Sequence, residues 1–119
     1  MEDNTTTIET IKMQLKKFVD ERDWHQFHSP KNMSMGIAIE ASELMEHFLW
    51  SDTQQSYEIV EKKRQEIEHE IADVAVFLLM FCAENNIDLA AAIEKKMKIN
   101  AEKYSVEKAK GKSTKYIEL

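Results

Sequence analysis

The sequence predicts an all-α fold, and three observations carry that prediction. Its 119 residues include 2 Gly and 1 Pro, far below the usual shares of roughly 7% and 5%. Tight turns are therefore scarce, and long helices joined by short loops are favoured. Glu, Lys, Ala, Met and Leu, all good helix formers, are abundant, and apolar residues recur at helical spacing along most of the chain. A single domain over residues 1–119 is expected from this length.

The first helix is expected over about residues 7–23, capped from a Thr-rich start, with Ile8, Ile11, Leu15, Phe18 and Val19 on one stripe. An aromatic and histidine-rich stretch, Trp24-His25-Gln26-Phe27-His28, follows. Ser29 as N-cap with Pro30 in the first turn opens the second helix, over about residues 30–50. Ser51-Asp52-Thr53 caps the third, over about residues 54–84, with an interruption foreseen near 57–61. Asn85 and Asn86 make a turn, and Asp88 caps a fourth helix over about residues 89–104. The Lys-rich tail from Ser105 onward is expected to be irregular.

A net charge of −6 argues against binding a nucleic-acid polymer, where affinity comes from Lys and Arg neutralising phosphates. It leaves room for a small phosphate ligand, because a bound divalent cation inverts the local charge. The one cysteine, Cys82, lies in an apolar run and reads as a core thiol, with no disulfide framework available. The N-terminus lacks the basic and apolar regions of a signal peptide. The uncharged run Val74 to Ala83 is about half a membrane span, so a cytoplasmic protein that does not enter a membrane is expected.

The chemistry concentrates on two acid pairs. Glu40 and Glu43 lie three residues apart on the second helix and project together. His47 and Trp50 continue their stripe, and Gly36 precedes it by one turn. Glu70 and Asp73 repeat the spacing on the next helix and lead into Val74–Phe81, a segment apolar all round that reads as enclosed by protein on every side. With 22 acidic residues in the chain, one such pair is an ordinary solvated face. Two pairs beside an apolar wall are less ordinary. Four converging carboxylates would repel and raise one another's pKa values unless a cation sat between them. All-oxygen donors of this kind suit Mg²⁺ or Mn²⁺, which also coordinate phosphates. Trp24 and Trp50 could stack a nucleobase, although core or interface packing is the commoner fate of a Trp. Glu66-x-x-His69 has the spacing of di-iron bundles, but those need the motif on two helices and it occurs once here.

Glu40-Ala-Ser-Glu43-Leu, followed by Glu70-Ile-Ala-Asp73-Val, resembles the acid signature of the MazG-like all-α nucleotide pyrophosphohydrolases. The chain is most similar to their dCTP pyrophosphatase branch, through Glu21-Arg-Asp-Trp24-His-Gln-Phe27-His28-Ser-Pro30-Lys-Asn32, Phe48-Leu-Trp50, Ile87-Asp-Leu89, Lys96-Met97, Asn100-x-x-x-Tyr104 and Lys115-Tyr116. The resemblance implies a four-helix bundle whose core is completed by dimerisation, commonly as a dimer of dimers. It implies hydrolysis of a nucleoside triphosphate, dCTP or a modified dCTP, to the monophosphate and pyrophosphate, as part of clearing the nucleotide pool. It assigns Glu40, Glu43, Glu70 and Asp73 to Mg²⁺ (or Mn²⁺) and catalysis, with Glu43 also orienting the water. Lys96 and Asn100 are assigned to phosphate or ribose, and Trp24, Trp50 and His28 to the base, one Trp coming from another subunit. Two positions depart from the pattern: Leu15 stands where the family has His, and Phe77 where it has Tyr. Both bear on base preference and leave the acids untouched. The competing readings are a non-enzymatic dimeric helical module with solvated acids, and a relative acting on dUTP or other nucleotides.

Overall fold

Four helices begin at a side chain that accepts a backbone N–H otherwise left free at a helix start. Thr7 accepts from the Thr10 amide at 3.1 Å, Ser29 from Asn32 at 3.1 Å, Asp52 from Gln55 at 2.8 Å and Asp88 from Ala91 at 2.9 Å. At Asp52 the Gln55 side chain answers by accepting the Asp52 amide, which closes a reciprocal capping box. A computed structural model, describing residues 1–119, gives the resulting order: α1 (Ile8–Glu21), α2 (Pro30–Glu46), α3 (Thr53–Lys62), α4 (Arg64–Glu84), α5 (Leu89–Lys103) and α6 (Val106–Ala109). Short 3-10 turns occupy His25–Phe27 and Tyr116–Glu118. There is no strand, and no single helix is long and apolar enough to cross a membrane.

Three boundaries differ from the expected ones. The interruption of the third predicted helix falls at Lys63, which leaves helical geometry (φ −113°, ψ 31°) and divides the segment into α3 and α4. No Pro or Gly marks it, so the sequence gives no local signal for its place. α2 stops at Glu46. The next residues wind into tighter turns, with the amides of Phe48, Leu49 and Ser51 donating to the carbonyls of Met45, Glu46 and Phe48. The tail is partly ordered: α6 forms, and Tyr116 packs edge-on against Tyr104 at 5.9 Å with Lys103 Nζ 4.6 Å above the Tyr116 ring.

The chain falls into two compact units, Met1–Asn86 and Ile87–Leu119. In the first, α4 is the central element and packs against α1, α2 and α3. Val19, Met33 and Met80, one from each of α1, α2 and α4, form a buried cluster ringed by Leu15, Val76, Phe77 and Phe81. Val19 and Met33 are each 1% exposed, and full burial of such a side chain stabilises by about 1.5–3 kcal/mol. Leu15 and Phe77 thus serve packing. Cys82 is buried and free, as its apolar surroundings predict. The expectation that Val74–Phe81 is enclosed on every side fails for the single chain. Ala75 and Leu78 are exposed, because α1, α2 and α3 cover only part of the circumference of α4. In the second unit, α5 has no buried residue.

Gly36 sets the spacing between α2 and α4. A Cβ there would lie 2.8 Å from two ring carbons of Phe77, closer than real side chains approach. Gly36→Ala is expected to destabilise the protein by about 1–3 kcal/mol through overpacking, read as a lower Tm. Alanine alone improves a helix by about 1 kcal/mol, so an unchanged or raised Tm would show that the ring moves aside freely.

Candidate active site

The two acid pairs meet across the contact that Gly36 permits. Glu40 and Glu43 on α2 and Glu70 on α4 each offer a carboxylate oxygen, and these oxygens lie within 4.8 Å of one another. Asp73, one turn further along α4, is exposed and does not join that trio. Its charge nevertheless reaches Glu40. The Glu40 carboxyl is held above the usual carboxylate range, first by desolvation, then by a hydrogen bond with Glu43, and further by the charges of Glu43, Asp73 and Glu70. Glu40 Oε2 is buried with no hydrogen-bond partner.

A buried acceptor without a donor is costly, and three like charges this close are costlier still. A divalent cation relieves both. The donor set is entirely oxygen, which fits a hard ion such as Mg²⁺ or Mn²⁺ and not a thiolate-seeking metal. Glu43 and Glu70 also line a recess of about 570 Å³ together with Ile39, Ser42, Glu46, His47 and Lys63. His47 Nε2 lies 3.7 Å from Glu70 Oε1. Lys63 escapes a reading by sequence alone, because only the break between α3 and α4 brings it to this recess. His47 is legible as one turn beyond Glu43 on the same stripe.

The aromatic block is built on the end of α1. The Trp24 amide donates to the Val19 carbonyl at 3.1 Å, and the Asn32 side chain donates to the Phe27 carbonyl at 3.0 Å, tying the block to α2. Trp24 stands edge-on to Phe18 at 5.7 Å and to His28 at 6.4 Å. It remains 41% exposed. His28 Nδ1 is buried without a partner. The two orphaned side-chain atoms of the chain therefore belong to Glu40 and His28, both residues singled out by sequence for binding.

Trp50 is placed differently. It is 94% exposed and makes no ring contact. Its φ of 64° lies in the left-handed region, which a bulky residue seldom occupies. A strained backbone carrying a solvent-exposed indole is typical of a functional position. Trp24 and Trp50 are not brought into contact within the chain. Lys96 and Asn100 lie one turn apart on α5 of the second unit, both exposed.

Comparison with known proteins gives the same direction. Residues 35–119 match the model of the MazG-like family. The chain belongs to the MazG-like family. Over 115 residues, 95% of its length, it is 36% identical to dCTP pyrophosphatase 1 of Mus musculus, and it covers 68% of that protein. The human protein of the same name is 34% identical over 117 residues with the same coverages. A crystal structure of a pyrophosphatase from Archaeoglobus fulgidus superposes with a TM-score of 0.81 at 35% identity, covering 88% of this chain and 98% of that one. This MazG-like chain is a pyrophosphohydrolase.

The raised Glu40 carboxyl makes a stability prediction with a definite sign. A raised folded-state pKa means that the fold favours the protonated form, so the associated stability is present at low pH and is lost as pH rises through that pKa. Without divalent cation, Glu40→Gln is expected to raise Tm at neutral pH and to flatten its decline between pH values in the carboxylate range and neutrality. A lower Tm for the variant under those conditions would mean that Glu40 is held by interactions other than those described.

Proposed function

We propose that this nucleoside triphosphate pyrophosphohydrolase acts on dCTP or a modified dCTP, with Mg²⁺ (or Mn²⁺) as cofactor, giving the monophosphate and pyrophosphate. The observation that carries the reading is the carboxylate trio of Glu40, Glu43 and Glu70, with its orphaned oxygen beside an open recess. The substrate class follows from the dCTP pyrophosphatases that the chain resembles.

Glu40, Glu43 and Glu70 would hold the cation, with the charge of Asp73 adding to theirs. It would supply neutralisation of the phosphate charge and a more acidic attacking water. Glu43 lines the recess and orients the attacking water, taking its proton as the α–β phosphoanhydride bond breaks and pyrophosphate departs with the bonding electrons. Lys96 and Asn100 contact phosphate or ribose. Trp24, His28 and Trp50 hold the base: Trp24 with a half-exposed face, His28 with an unpaired ring nitrogen, Trp50 with a fully presented indole.

A second copy of the chain completes the assembly, as a dimer or a dimer of dimers. Large apolar side chains stand in solvent on two helices of the first unit: Met35 and Ile39 on α2, Ile71 and Leu78 on α4. Monomers seldom leave so much apolar surface uncovered. A partner covering it could bring Trp50 of one copy to the acids of the other, which accounts for an indole left 94% exposed in its own chain. The role in the cell is removal of unwanted deoxynucleotides, in the cytoplasm.

The test is a substrate panel with Mg²⁺: the four dNTPs, dUTP, 5-methyl-dCTP and the ribonucleotides, with products separated chromatographically and Glu43→Gln as control. Monophosphate and pyrophosphate from a deoxycytidine nucleotide, falling by about a hundredfold or more in the variant, is the expected result. Orthophosphate release would mean that another bond is cut. Turnover of dUTP in preference to dCTP would move the substrate to the neighbouring branch. No turnover by folded, Mg²⁺-loaded protein would favour a binding module.

A further inference from the structure

His25 lies in the aromatic block and is held at both ring nitrogens. Nε2 bonds an Asp20 carboxylate oxygen on α1, and Nδ1 lies 2.8 Å from Glu84 Oε1 at the end of α4. The end of α1, the segment that follows it and the distant end of α4 therefore meet on one imidazole. A neutral imidazole carries one N–H and can serve only one of two carboxylates. An imidazolium donates to both, so the observed geometry is that of the charged ring.

We infer that His25 is a positioning residue, whose charged imidazole staples the Trp24–His28 segment to α1 and α4 and thereby sets the stance of Trp24 and His28 toward a nucleobase. The assignment of the base to these side chains rests on the proposed function. The staple itself does not.

The remaining contacts of the segment explain why it needs the anchor. The Trp24 indole packs edge-on between Phe18 and His28, the Trp24 amide donates to the Val19 carbonyl, and the Asn32 side chain donates to the Phe27 carbonyl. Nothing but His25 joins the segment to α4 by a polar contact. The charged groups facing the ring are Asp20 and, 3.1 Å behind it, Lys16 on α1, and Glu84 on α4. The two carboxylates outweigh the lysine: His25 is raised above the usual histidine range, chiefly by its bond to Asp20 and also by the charge of Glu84. Asp20 is lowered, chiefly by His25 and then by Lys16. The sign follows. The contribution of His25 is complete below the ordinary histidine pKa and disappears as pH rises through its raised value, while Asp20 maintains it down into the acid range.

The experiment compares the parent with His25→Arg and His25→Ala. Arginine keeps a cation that bridges two carboxylates and does not titrate. Alanine removes the staple. KM and kcat for dCTP are measured at saturating Mg²⁺ from about pH 6 to about pH 9. At the acid end His25→Ala is expected to raise KM roughly fivefold, with kcat within about twofold of the parent. At the alkaline end parent and His25→Ala converge, while His25→Arg keeps the low KM throughout. A KM ratio of one at every pH, or the same raised ratio at every pH, would overturn the proposal, the second outcome reducing His25 to general support.

Trp24 emission is read in a Trp50→Phe background across the same pH range, which separates the staple from the substrate assignment. A transition present with His25 and absent in both His25→Arg and His25→Ala supports the staple, even if no nucleotide is turned over. An identical transition in all three overturns it.

Discussion

Mutual repulsion among carboxylates is the constraint from which the rest of the first unit can be understood. Glu40, Glu43 and Glu70 are brought together by the contact of α2 with α4, and the Asp73 charge adds to theirs. A fold that holds like charges this closely needs rigid walls behind them. The walls are the cluster of Val19, Met33 and Met80 and the close approach of Phe77 to Gly36. Stability is given up at the acids and recovered in the packing beside them. A cation at the trio would turn the least favourable part of the unit into its best ligated one.

The same logic separates what holds the site from what reaches into it. Leu15 and Phe77 both ring the buried cluster. Here those positions support the walls and give nothing polar to a ligand. The base recognition proposed above falls to groups at the surface: Trp24 at the start of its short 3-10 segment, His28 beside it, and Trp50 on a left-handed turn. The segment carrying Trp24 and His28 is anchored from outside the acid cluster, through Val19, Asn32 and the His25 bridge to Asp20 and Glu84. On the proposed function, affinity for the base and binding of the cation are governed by different contacts of the same fold.

Much of this was legible in the sequence, for reasons that can be named. Helix starts were, because Thr7, Ser29, Asp52 and Asp88 are capping residues whose action is local. The acid pairs were, because a spacing of three residues places both side chains on one helix face whatever the surroundings. The break at Lys63 was not, since no Pro or Gly imposes it. Nor was the end of α2 at Glu46, where tighter turns replace a helix that the sequence could equally continue. The role of Gly36 was visible only as a gap in a stripe, because its meaning depends on the ring of Phe77, forty-one positions later in the chain. The separation of Asp73 from the trio depends on side-chain geometry that spacing does not encode.

The central claim is that the carboxylates between α2 and α4 are a divalent-cation site. It is tested most directly by titrating the purified protein with Mn²⁺ and following the free-ion signal by electron paramagnetic resonance. The account predicts uptake by the parent protein, competition by Mg²⁺, and loss of uptake in Glu70→Gln with the helical circular dichroism retained. Absence of Mn²⁺ uptake by the folded parent, or equal uptake by the variant, would contradict it.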